Sequence, residues 1–146
     1  MKREDEIRER IKSILEKRRQ PEERILDVHG SDEYGLDLIL IKLDPFGKLR
    51  AYGVQVKTGD IKCSGRPTQR IKEIIGQIAI AYGKTVWDGE KYYRLDGFYI
   101  ITDGKISEKA KGYIESAILI RNLHFIDKDS LDEFIKKYGD EIFKES

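Results

Sequence analysis

The sequence predicts an α/β domain of three layers, a mixed central sheet flanked by helices, spanning residues 1–146 as one unit. Two observations lead there. Leu36 to Leu43 and Leu49 to Lys57 are apolar, β-branched runs on either side of Asp44-Pro45-Phe46-Gly47-Lys48, where Pro and Gly supply turn geometry, so they read as a β-hairpin. After that hairpin, segments of helical period alternate with short apolar runs, and strands joined through helices lie parallel with right-handed crossovers. An antiparallel opening extended by parallel strands makes a mixed sheet with helices on both faces.

The elements follow in order. From Asp5 to Arg19, Ile7, Ile11, Ile14, Leu15 and Arg18 recur at three- and four-residue spacing, which predicts a helix with one buried face, closed by Pro21. Glu23 to Val28 is a short strand, and His29 to Gly35 a polar loop before the hairpin. Thr68 or Gln69 to Tyr82 is a second helix, with Ile71, Ile74, Ile75, Ile78 and Ala81 on one stripe and Gly83 as its stop. Asp88-Gly89 signals a tight hairpin between Lys84–Trp87 and Lys91–Arg94, expected as an exposed insertion before the core strand Phe98 to Thr102. A helix from Ser107 to Ile118 with Ser107 as N-cap, a strand from Leu123 to Ile126, and a helix from Leu131 to Phe143 capped by Ser130 complete the chain.

A chain of 146 residues, 39% of them hydrophobic, is sized for a single core. Charged residues make up 38% but the net formal charge is only +1, so a nucleic-acid partner must be met by a local basic patch. Lys62, Arg66 and Arg70, in and just after the loop that follows Lys57, are the candidates. With no apolar run of spanning length and a charged start, a cytoplasmic protein without membrane contact is expected. The lone Cys63 excludes an internal disulfide, and with His29 and His124 far apart there are too few soft ligands for a structural zinc site.

The hairpin carries the chemistry. If it folds symmetrically about Phe46, Asp37 lies across from Gln55 and Gly35 across from Lys57, so Asp37, Gln55 and Lys57 share one patch at its open end. An acid, an amide oxygen and an amine on one patch suit a divalent metal held against a phosphate. Gln77 points away from the Ile stripe of its helix and, although within reach, reads as an ordinary polar helix position. His29 and His124 read as a turn residue and a half-buried strand residue, and Trp87, Tyr92 and Tyr93 as packing on their hairpin. Gly83-Lys84-Thr85 resembles the end of a phosphate-binding loop, but Ile78 stands where the first glycine must be.

This order, together with Gly35-Leu36-Asp37, Gln55-Val56-Lys57, Phe98 to Thr102 followed by Gly104-Lys105-Ile106-Ser107 and Ala110, and Leu123 to Asp127, resembles the PD-(D/E)xK or restriction-endonuclease-like nuclease superfamily. It is most similar to Mrr-type restriction endonuclease domains, in which glutamine replaces the acid of ExK. The resemblance implies a restriction-endonuclease-like fold and a Mg2+- or Mn2+-dependent endonuclease hydrolysing DNA phosphodiester bonds as a homodimer. Asp37 and Gln55 would then be metal ligands, and Lys57 would orient or deprotonate the attacking water or offset charge on the transition state. Leu36 stands where the family name has proline. Arg8 falls where many relatives carry a helix glutamate, which leaves Glu4, Asp32 or Glu33, or none, as a third acidic ligand. A catalytically silent binding domain on the same scaffold and a Holliday-junction resolvase stay open as alternatives.

Overall fold

The computed structural model describes residues 3–28, 35–118 and 122–139. Its elements run α1 (Arg3–Arg18), β1 (Arg24–Asp27), β2 (Leu38–Leu43), β3 (Leu49–Lys57), α2 (Gln69–Tyr82), β4 (Thr85–Trp87), β5 (Tyr92–Thr102), α3 (Glu108–Ala117), β6 (Leu123–Ile126) and α4 (Lys128–Phe134). A wider helical turn over Ile135–Gly139 continues α4. The strands form one mixed sheet in the order β1-β2-β3-β5-β4, with β6 also on β5. β1, β2 and β3 are antiparallel neighbours, while β5 joins β3, and β6 joins β5, in parallel.

Register follows from the turn. Asp44 fixes it by accepting from the amides of Phe46 and Lys48, and Gly47 takes φ +78°, which costs glycine nothing. Every pair of the β2–β3 ladder, from Leu43 with Leu49 to Leu38 with Val54, is centred on Phe46 as the symmetric hairpin predicts.

Alternation along these strands sorts the side chains into two cores. Ile39, Ile41, Ala51, Phe98 and Ile100 pack with Ile71, Ile74 and Ile78 of α2 and Ala110 and Ile114 of α3. Leu38, Leu40, Val54, Val56 and Ile101 pack on the other face with Ile7 and Ile11 of α1 and Leu131 of α4. The sheet therefore has helices on both faces, the three-layer α/β arrangement expected.

Several expectations are corrected. The hairpin after α2 is no detour from the core, because its second strand runs unbroken into the central strand as β5. Gly97 looks like a break in sequence, yet a methyl group there would stand 2.7 Å from Tyr52 and 2.9 Å from Asn122, so the missing side chain serves close packing within the strand. α4 begins at Lys128 after Asp127, so Ser130 is not its cap. The expected helix end, Phe143, lies outside the described residues. His124 is exposed and stacked on Tyr99 at 4.8 Å rather than half-buried. Trp87 and Tyr92 do pair across their hairpin, with ring centroids 4.7 Å apart.

Candidate active site

β2 and β3 part company at Asp37. Its amide donates to Val54 O at 2.8 Å, one residue out of step with the ladder, and its carboxylate Oδ2 accepts from the Val56 amide at 2.7 Å. Asp37 thus supplies, with its side chain, the acceptor that the departing strand no longer offers β3. A carboxylate has about four lone-pair sites, so this bond leaves capacity for other partners.

Gln55 and Lys57 flank Val56 and, being odd-numbered on β3, face α2 rather than α1. Gln55 is 1% exposed. Its Nε2 donates to Gln77 Oε1 at 2.5 Å, and Lys57 Nζ reaches the same oxygen at 3.5 Å. Gln77 therefore belongs to the constellation, a role its helix position did not reveal. With Nε2 turned to Gln77, Gln55 Oε1 is left buried with no hydrogen-bond partner among the described residues. A buried acceptor without a donor costs about 1–3 kcal/mol.

Gly35 was expected across from Lys57. The structure sets it against the two amides instead: a methyl group there would stand 2.6 Å from Gln55 Nε2 and 2.8 Å from Gln77 Cδ. The break in register at Asp37 is the cause. Gly35 takes φ +84°, which lets the chain pass over the amide pair.

The turn after Lys57 is fastened at many points. Thr102 Oγ1 donates to Gly59 O at 2.6 Å, the Gly59 amide donates to Asp103 Oδ1 at 2.8 Å, and the Lys105 amide to Asp60 Oδ1 at 2.8 Å. The Gly59 amide, with Arg3 beside it, holds the Asp103 carboxyl below the usual carboxylate range. Gly104 lies so close to Gly59 that a Cβ would fall 2.2 Å from its carbonyl carbon.

Of the three candidate phosphate-binding cations, Lys62 and Arg66 are exposed, Lys62 with Asp60 3.4 Å away. Arg70 donates to the carbonyls of Thr58 and Asp60, so it braces the turn. Arg8 is buried on the opposite face, 2.7 Å from Asp5, 3.3 Å from Glu9 and 3.8 Å from Asp27. Burial opposes its charge, but Asp5, Asp27 and Glu9 outweigh that and raise its pKa. Glu4 is half-exposed in the first turn of α1. Asp32, Glu33 and His29 lie outside the described residues. Among the described residues no group of three or more His, Cys, Asp or Glu is placed to hold a metal ion.

A hard cation fits what is present only in part. One carboxylate and one unpaired amide oxygen are the oxygen donors that Mg2+ or Mn2+ takes, and water and a phosphate oxygen would have to complete the shell.

No family model matches the chain, and no curated protein does. Among solved structures it is similar to one described as the MspJI restriction endonuclease in complex with a 27-mer oligonucleotide, at 14% identity and a TM-score of 0.47. That likeness covers 91% of this chain and 28% of the other, so this chain spans little more than a quarter of that protein's length. No helix among the described residues is long and apolar enough to cross a membrane.

Proposed function

We propose that the chain is a metal-dependent endonuclease domain that hydrolyses DNA phosphodiester bonds, of the restriction-endonuclease-like, Mrr-type class. The observation that carries this reading is Gln55 Oε1, buried and unpartnered on β3 next to the residue whose amide holds the Asp37 carboxylate. A buried acceptor with no donor among the described residues is suited to a cation that arrives with the substrate.

Asp37 and Gln55 would hold Mg2+ or Mn2+, which when bound polarises the scissile phosphate and acidifies a water molecule. Each protein group then has a separate task. The Val56 amide fixes one oxygen of Asp37, so the carboxylate does not rotate as charge builds. Gln77 orients the Gln55 amide and steers Lys57 Nζ toward the same patch. Lys57, with one N–H on Gln77, would bring its positive charge and a remaining N–H donor to a non-bridging phosphate oxygen, opposing the negative charge of the transition state. Lys62 and Arg66 meet backbone phosphates on either side, contacts that position the duplex without reading its sequence. One site cuts one strand, so cleavage of a duplex calls for two copies of the domain.

A second reading has its own support. With no cluster of three acidic or imidazole ligands among the described residues, the domain would be a silent binder of DNA on the same scaffold. One experiment separates the two. Duplex, branched and single-stranded DNA are incubated with Mg2+ or Mn2+, alongside Asp37→Ala and Lys57→Ala. The nuclease reading expects metal-dependent cleavage, reduced on the order of 10²-fold or more by each substitution. Cleavage indifferent to both substitutions would overturn the site, and salt-sensitive DNA binding without cleavage would establish the silent binder.

A further inference from the structure

On the sheet face away from Gln55 and Lys57, α1 and α4 stand apart over a cavity of about 250 Å3. Its floor is Leu40, Val54, Ile101 and Ile126. Ile11 and Leu15 of α1 form one wall, Leu131 and Phe134 of α4 the other. Among the described residues the polar groups on its lining are the Tyr99 phenol and the Lys42 ammonium, and the Lys42 side chain is about half exposed. The groove opens to solvent, and covering its Leu, Ile and Phe walls with an aliphatic chain is favoured by the apolar surface this removes from water.

The neighbouring hollow has a different chemistry. A smaller hollow of about 80 Å3 shares Leu15, Leu40 and Lys42 with the chamber and adds Arg18, Arg19 and Arg24 against one acid, Glu23. Two of these cations are engaged elsewhere. Arg24 serves Asp88 and Glu90, and Arg19 serves Glu16 and the Glu23 carbonyl. Arg18 pairs with no carboxylate among the described residues and lies 3.5 Å over the Tyr138 ring. Lys42 lies 3.5 Å from Glu23, but that carboxylate already accepts the amides of Gln20 and Leu43, so it is a divided partner. The rim carries positive charge in excess of what its acid offsets.

We infer that this chamber binds a small amphiphilic anion, an aliphatic monocarboxylate whose chain fills the cavity and whose head group meets Lys42 and Arg18. An uncharged apolar guest would satisfy the walls and leave the rim cations unanswered. A short polar anion would do the reverse. The site is separate from the Asp37–Lys57 constellation and does not depend on the nuclease reading.

The test is a calorimetric titration of the full chain with butyrate, hexanoate, octanoate and decanoate below micellar concentrations, and with 1-octanol. Burial of each methylene is worth about a fourfold gain in affinity, so the dissociation constant should fall about fourfold per CH2 until the chamber is full. Octanoate should bind about tenfold or more tightly than 1-octanol, and the Arg18→Gln, Lys42→Gln double variant should erase that difference. Ile126→Phe should fill the chamber and abolish binding. If that variant does not fold, Leu15→Phe on the half-exposed wall takes its place. No binding at millimolar octanoate, an affinity independent of chain length, or unaltered binding to the filled variant would each overturn the proposal.

Discussion

Gln77→Leu is the most direct perturbation of the site that leaves its shape in place. Leucine fills nearly the same space beside Gly35 but removes the oxygen that receives both Gln55 Nε2 and Lys57 Nζ. The two losses are unequal. Gln55 is buried, so its Nε2 would lose its partner with no water to replace it, at a cost of about 1–3 kcal/mol. Lys57 is half-buried and its contact is long at 3.5 Å, so its ammonium turns to water at little cost. The sum is a loss of about 1–3 kcal/mol, which for a chain of this length lowers the midpoint of thermal unfolding by roughly 3–10 °C. Gln77→Glu keeps an acceptor for Gln55 and should recover most of it. Urea denaturation of the three proteins measures the difference. A Leu variant within about 0.5 kcal/mol of the wild type, or a Glu variant no better than the Leu variant, would refute the claim that one oxygen organises Gln55 and Lys57.

Two further outcomes follow from the turn behind Lys57 and from the glycines. Gly104→Ala puts a methyl group against the Gly59 backbone and should destabilise by about 1–3 kcal/mol or more, whereas Gly76→Ala, in the interior of α2 with nothing within 4 Å, should stabilise by about 0.5–1 kcal/mol; opposite shifts of the urea midpoint are expected. Asp103 titrates below its unfolded value, so its contribution is complete above about pH 4 and is lost as pH falls through the lower folded pKa. Asp103→Asn should therefore differ most from wild type above about pH 4, with the gap narrowing as the pH falls below that; a gap that stays constant as the pH falls would count against the assignment.

What the sequence revealed depended on how local the determining physics is. Asp44, Pro45 and Gly47 specify a turn by their own chemistry, and that turn sets the whole β2–β3 register. Ser107 was legible as a cap for the same reason, its side-chain oxygen accepting the Ala110 amide three residues on, while Thr68, offered only as a possible first residue of α2, caps that helix in the same way through Ile71. Ser130 has equal capping chemistry and was misleading, because α4 starts where the Lys128 amide finds Gly104 O, a partner remote in sequence. Gln77 was underrated on similar grounds. Its side chain gains meaning only from where α2 lies against the end of β3, and no helical wheel contains that. Gly35 departs from the place expected for it because the regular ladder ends at Leu38: beyond it the Asp37 amide meets Val54 O one residue out of step, and its carboxylate takes the Val56 amide.

The stapled turn after Lys57 has a mechanical consequence. Gly59, Asp60 and Ile61 are tied to Thr102, Asp103, Lys105 and Ser107, so β3's end, β5's end and the lead into α3 move as one piece. The lysine side of the site is thereby fixed. Asp37 is fastened to the same strand, its amide to Val54 O and its carboxylate to the Val56 amide. A phosphate entering the proposed site would therefore meet a cradle set in advance, with its two sides held by one strand, rather than jaws that close on it.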